Sequence, residues 1–333
     1  MKHLVRLMAA LALLWSLLWI AGSVTVERLV AGWLDQQGRA GWVVGYETLG
    51  TSGYPLRFDT RLTDLRLADP ATGWAWTAPE LHLDQFSARP LAIRAIWPSA
   101  QSFATPFETI TITADRMESL LHVQARSDLA LNRSETIFNR VAMRSDLGWS
   151  SAIDSATLRF SLRDEPGHRY DLRFDAEGFV PTGQLLALLD PAGLLPQQVD
   201  RFRLSAVTAF DRPWDLTALE VSRPNVTRLE LEEMRAEWGD LALRVSGTLD
   251  VDPQGLPTGN LSVRAQNWRE MVTLGANAGA IPDGFRGTLE TGLSLMAGLS
   301  GRPEDLDATL RFAEGQVYFG PIPLGPVPRL VLR

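Results

Sequence analysis

The sequence contains no cysteine, which excludes disulfides, thiolate metal sites and cysteine nucleophiles. Lysine is almost as scarce: Lys2 is the only one, so every other basic side chain is arginine. Four histidines occur, His3, His82, His122 and His168, without HExxH or His-x-His spacing, and zinc is not expected. There is no Gly-x-Ser-x-Gly elbow, Walker loop or GxGxxG run. A basic excess is also missing. The formal net charge is −7, and the only basic residues before Glu27, the first acidic one, are Lys2 and Arg6. Such an acidic body is a poor partner for nucleic acid, because neutralising phosphates needs a basic surface. What remains for chemistry is scattered carboxylates, such as Asp64 and Asp69, which read first as solvated strand faces and turns. No catalytic, cofactor-binding or metal-binding residue is assigned, and a non-enzymatic protein is expected.

What the chain does have is one long apolar run. From Leu7 to Val26 no side chain is charged, and 20 residues of helix span roughly 30 Å, the thickness of a bilayer core. Leu7, Leu14, Trp15, Trp19 and Ile20 are the residues expected in the membrane. Lys2 and Arg6 precede the run, which predicts a cytoplasmic N-terminus and an exported body. An uncleaved signal-anchor is expected over residues 1–27. Ala21-Gly22-Ser23 leaves cleavage open as an alternative. Leu29, Val30, Trp33 and Leu34 keep helical spacing, so a helical extension is expected over 28–41.

From about residue 42 the pattern is period two. Ala156, Leu158, Phe160 and Leu162 share one face, against Thr157, Arg159, Ser161 and Arg163. Tyr170, Leu172, Phe174 and Ala176 repeat it after the turn Glu165–His168, which predicts a hairpin over 156–176. Phe202, Leu204 and Ala206 form another strand face. Leu241, Leu243, Val245, Leu249 and Val251 form the next, continued by Leu261, Val263 and Ala265 and then by Ala308, Leu310 and Phe312. Alternation slips near Asp64 and near Glu232-Glu233, where a β-bulge or a plain turn is expected. Short helices are expected at 182–190 and 267–279, the second with Asn267 as a possible N-cap. "SGTLDV" (246–251) and "RGTLET" (286–291) form a weak internal echo that suggests two similar strands. The fold expected for 42–333 is therefore a mainly β body: a long, curved, largely antiparallel sheet with few short helices, its apolar face an open groove or the core of a closed sandwich.

Three stretches carry a family resemblance: "SGYPLRFDTRLTDLRLADP" (52–70), "GTLDVDPQGLPTGNLSVRAQNWREMV" (247–272) and "GQVYFGPIPLGPVPRL" (315–330). They resemble the uncharacterised alphaproteobacterial family called domain of unknown function 2125. That family's general plan is similar to AsmA-like envelope proteins of the YdbH and TamB kind. The resemblance implies an inner-membrane helix, a periplasmic β body with an apolar concave face, and a part in phospholipid movement. It brings no catalytic residues. The lipid-groove candidates are the inward positions Leu158, Phe160, Leu172, Phe174, Leu243, Val245, Leu249, Leu261, Val263, Leu310 and Phe312. The expected partners are the bilayer, phospholipid and envelope proteins. In the alternative reading the chain is a scaffold that binds an envelope partner through a sheet edge, such as a final strand at 329–333.

Overall fold

A computed structural model describes residues 1–125, 129–164, 166–220, 222–279, 281, 283–299, 303–320 and 322–331. The protein is mainly β, its strands paired antiparallel, with few helices and one long apolar helix at the N-terminus. It divides into two compact units, residues 1–125 with 136–148, and residues 126–135 with 149–333.

The first unit opens with helix α1 (Lys2–Arg39), which is long and apolar enough to cross a membrane. Strands β1 (Val43–Gly45), β2 (Thr48–Ser52), β3 (Arg57–Asp69) and β4 (Trp74–Phe86) follow. Next come β5 (Arg89–Ile96), β6 (Ala100–Ala104), β7 (Thr109–Thr113), β8 (Arg116–Val123) and the latter part of β9 (Leu131–Ser145). β1 and β2 both pair with β3, β3 pairs with β4, and β4 carries β5 and β6 along its other side. β8 pairs with β5, and β7 with β6 and β9.

The core of this unit is Leu62, Leu65, Leu67 and Ala78 from β3 and β4, closed by Leu34 and Val30 of α1. The helical extension expected after the apolar run therefore exists, continuous with the helix before it. Near Asp64 the apolar face changes as expected, but no extra residue is inserted. Thr63 pairs with Glu80 and Leu65 with Ala78 in one register, and Asp64 takes a left-handed φ of 48°. The tryptophans of the apolar run are not purely lipid-facing. Trp15 Nε1 donates to Pro55 O and Trp19 Nε1 to Arg57 O.

The second unit contains the start of β9, then β10 (Ser150–Asp164), β11 (Arg169–Val180), α2 (Gly183–Leu189), β12 (Val199–Phe210) and α3 (Leu216–Glu220). It continues with β13 (Val226–Trp238), β14 (Leu241–Val251), β15 (Pro257–Gln266), α4 (Trp268–Asn277) and α5 (Asp283–Leu299). It ends with β16 (Asp305–Ala313), β17 (Gln316–Phe319) and β18 (Ile322–Pro326). From β10 to β18 each strand pairs with the next. Leu158 stands opposite Phe174, which faces Leu204, then Met234, Val245, Val263 and Ala308. One apolar row thus crosses seven strands. The bulge expected at Glu232-Glu233 is present: two β13 residues stand where β12 and β14 each offer one, so Leu231 and Met234 reach the same face.

The opposite face is a lattice of arginine and carboxylate. Arg163 meets Asp171 at 2.5 Å, Arg201 meets Glu177 at 2.6 Å, Arg203 meets Asp175 at 2.7 Å, and Arg228 meets Asp250 at 2.6 Å. Water screens exposed cross-strand pairs of this kind, so each adds little to stability. Glu135 is the more enclosed member, held by Arg133 at 2.5 Å and Arg159 at 2.8 Å. Burial opposes its ionisation, but the hydrogen bonds from Arg159 and Arg133 outweigh that and hold the carboxyl below its ordinary value. A carboxylate depressed in the folded state adds stability above its unfolded pKa and loses it as pH falls through the folded one. The second unit should therefore weaken below about pH 4. Glu135→Gln should flatten that decline, at a cost of about 1 kcal/mol at pH 7. Denaturation midpoints from neutral to acid pH check this; an equally steep decline in the variant removes Glu135 from the account.

Several expectations differ from the structure. The segment 286–291 is part of α5, not a strand, so its likeness to 246–251 in β14 is only in sequence. Helix α5 supplies Leu289, Leu293 and Ala297, which with Trp268 and Val272 of α4 cover Ala265, Leu306, Ala308 and Phe319. Asn267 holds the N-cap position of α4 as expected, but its side chain makes no cap hydrogen bond. It sits at φ 57°, and its Nδ2 donates to Asp240 O at 2.7 Å. Residues 329–331 form no strand, and Leu332 and Arg333 lie outside the described residues. Glu165, of the expected turn, also lies outside them.

Candidate apolar binding cavity

The apolar face of the second unit is neither wholly open nor wholly closed. Its middle is packed. Ala206, Leu231 and Val245 are buried there, with Leu204, Leu229, Met234, Leu243, Leu261 and Val263 against them. Toward β16, Leu310 packs into the cluster capped by α4 and α5. Leu249 is buried, and Phe312 is half-buried opposite Gly259. These candidates are core.

At the β10–β12 end the packing is incomplete. A cavity of about 580 Å³ is lined by Leu158, Phe160, Leu172, Thr208, Phe210, Trp214, Val226 and Leu229 on the sheet side, and by Leu131, Ser134, Arg329, Leu330 and Val331. Leu158, Phe160 and Leu172 are brought together here as the strand pattern predicts. A second apolar cavity of about 520 Å³, beside α4, takes Phe174 and Leu243 with Phe202, Trp238 and Met271.

The first cavity is built on an aromatic cluster. Phe160 lies parallel to Tyr170 at 4.7 Å, and its edge meets Trp214 at 6.0 Å and Phe210 at 6.1 Å. Tyr170 is fully buried, and its hydroxyl accepts the Trp214 backbone N–H at 3.1 Å. The loop carrying Trp214 is fixed a second time, because Trp214 O accepts from Leu131 N at 2.6 Å. One polar atom in this wall has no partner among the described residues: the buried indole N–H of Trp214. A buried donor left unpaired costs about 1–3 kcal/mol, and this one is enclosed behind the aromatic wall.

The chain after β18 lies along the cavity. Leu330 N donates to Gly255 O at 2.8 Å and Arg329 Nη1 to Gln254 O at 3.0 Å, tying the segment to the β14–β15 turn. This is the segment in which a pairing edge was expected; at 329–331 it lines the cavity. Sequence reasoning missed Phe210 and Trp214. Phe210 continues the alternation of Phe202, Leu204 and Ala206, so its signal was present. Trp214 sits in a loop after Pro213 and had none.

Polar clefts elsewhere are weaker candidates. The one lined by Arg235, Arg244 and Arg264 lies on the charged lattice, where Arg244 meets Glu233 and Arg264 meets Asp307, both at 3.1 Å, and Arg235 bonds Glu237. Its arginines are already neutralised. Among the described residues no three His, Asp or Glu side chains converge as metal ligands would.

Comparison with known proteins gives one match. A family described as "Uncharacterized protein conserved in bacteria (DUF2125)" matches residues 19–328. No curated protein and no solved structure matches the chain.

Proposed function

We propose that this chain, which belongs to the uncharacterised bacterial DUF2125 family, is an envelope protein of the bacterial inner membrane that shelters a lipid acyl chain. Helix α1 crosses the membrane once, with Lys2 and Arg6 in the cytoplasm and the β units in the periplasm. The protein performs no chemical step. Its work is burial, in which each CH₂ removed from water contributes about 0.8 kcal/mol.

The observation that carries this reading is the aromatic-walled apolar cavity of about 580 Å³. Ligand pockets commonly measure about 300–1,000 Å³ and pair an apolar lining with few polar groups. An acyl chain fits the Leu158, Phe160 and Leu172 wall. The polar head stays at the cavity mouth, where the exposed Arg329 meets its anionic group.

Native mass spectrometry of the full-length protein, released from detergent, tests this. A lipid of fixed stoichiometry should survive on the parent protein. Leu158 is 38% exposed, so Leu158→Asp should abolish that lipid while the fold persists. Trp214→Phe takes one ring out of the aromatic wall and should weaken retention about tenfold. A parent protein that flies without lipid would overturn the carrier reading and favour an assembly role with an envelope protein.

A further inference from the structure

We infer that the Gly53–Phe58 turn of the first unit inserts into the leaflet of the membrane on the side of the β units. The inference rests on α1 being the membrane-spanning helix. It concerns a different surface from the cavity.

The apolar run of α1 ends at Val26, and Trp15 lies roughly 16 Å back along the helix from there. The first unit does not stop at the end of the run. It follows the helix down: Glu27 Oε1 accepts from Thr51 N at 2.6 Å, Phe58 stacks on Trp19 at 5.7 Å, and Tyr54 meets Trp19 edge-on at 5.4 Å. The turn thus sits alongside helix residues that a bilayer surrounds.

Backbone that enters hydrocarbon must have its polar groups satisfied internally. This turn meets much of that demand, Gly53 N and the Tyr54 backbone groups excepted. Pro55 has no N–H, and its O accepts from Trp15 Nε1 at 3.0 Å and Ser87 Oγ at 3.3 Å. Leu56 N donates to Gly53 O at 3.2 Å, and Leu56 O accepts from Ser87 N at 2.9 Å. Arg57 N donates to Gly53 O at 2.9 Å, and Arg57 O accepts from Trp19 Nε1 at 2.8 Å. The Tyr54 hydroxyl bonds Ser16 Oγ at 2.7 Å. The helix donors that complete this turn all come from the apolar run.

What the turn shows outward is apolar except for Arg57, whose guanidinium stands 3.4 Å from Asp84. Leu56 is 66% exposed, Tyr54 54%, and Phe86, on the neighbouring strand end, 55%. Arg57 lies over the Phe86 ring at 4.9 Å, and Arg89 is exposed just beyond it in sequence. An apolar tip with arginines behind it fits the acyl region of a leaflet below and phosphates above.

The absence of cysteine makes the test direct. Leu56→Cys, Leu11→Cys and Ala71→Cys are each labelled with NBD in the full-length protein and reconstituted into phosphatidylcholine/phosphatidylglycerol vesicles with or without doxyl-labelled lipid. Leu11 reports the spanning helix. Ala71 lies at the far end of β3, roughly 40 Å from the turn. Matching denaturation midpoints show that each variant is folded. The inference expects doxyl lipid to remove most NBD emission at positions 11 and 56 and none at 71. Quenching at 11 alone overturns the inference and leaves the anchor standing. No quenching at 11 or 56 overturns both. Equal quenching at 56 and 71 overturns it as well, since a unit lying flat on the membrane needs no inserted turn.

Discussion

Trp268→Ala is expected to cost the second unit about 3–5 kcal/mol, the range for emptying a buried tryptophan site. Trp268 is 1% exposed and opens α4. Its indole N–H donates to Pro303 O at 3.1 Å, and Arg269 lies over its ring at 4.6 Å. The ring packs in the cluster where α4 and α5 meet β15, β16 and β17. Nothing short can refill that space, because the surrounding positions include Ala265, Ala297 and Ala308. Trp268→Phe should recover part of the loss by keeping the packing without the hydrogen bond. Urea denaturation followed by circular dichroism measures both. A shift under about 1 kcal/mol for the alanine variant would mean that the two helices are not part of the cooperative core.

Gly247→Ala should be nearly as damaging, by about 3 kcal/mol or more, though it adds only one carbon. Gly247 lies in β14 at φ 147°, a region that L side chains rarely adopt. A Cβ there would stand 2.2 Å from the backbone oxygen of Asn260 in β15. Gly259 mirrors it from β15, at φ 146° with a Cβ 2.2 Å from Thr248 O. At both positions a Cβ would point into the neighbouring strand, and the obstacle is backbone that cannot rotate away. Gly287 in α5 provides the contrast. A Cβ there meets nothing within 4 Å, so Gly287→Ala should raise stability by about 0.5–1 kcal/mol through helix propensity. The same denaturation series reads both signs. An unperturbed Gly247→Ala variant would refute the close approach.

Much of the architecture was legible because strand burial has a period of two. The pairs Leu158 with Phe174 and Phe160 with Leu172 follow from alternation around one turn. The bulge at Glu232-Glu233 follows from a change of phase. Helix α5 was not legible, although Leu289, Leu293 and Ala297 repeat every four residues. Gly287, Gly292 and Gly298 lower its helix propensity, and Thr291 favours a strand, so tertiary packing overrides the local preference. Asn267 fits an N-cap by residue type, but its left-handed backbone turns the side chain to Asp240 instead. The cavity was half legible. Its strand wall obeys the alternation, while Trp214 and the segment from Arg329 to Val331 are brought in from loops, which carry no periodic signal.

Helix α1 runs 38 residues without interruption, about 57 Å. The first unit is fastened to it at Trp15, Trp19, Glu27 and Leu34. The helix and this unit are joined at points along much of the helix length. Whatever inclination the helix takes to the bilayer normal, the unit takes too. Membrane-spanning helices answer a change in hydrocarbon thickness by tilting, so in the proposed placement a thinner or thicker membrane re-aims the first unit together with its helix.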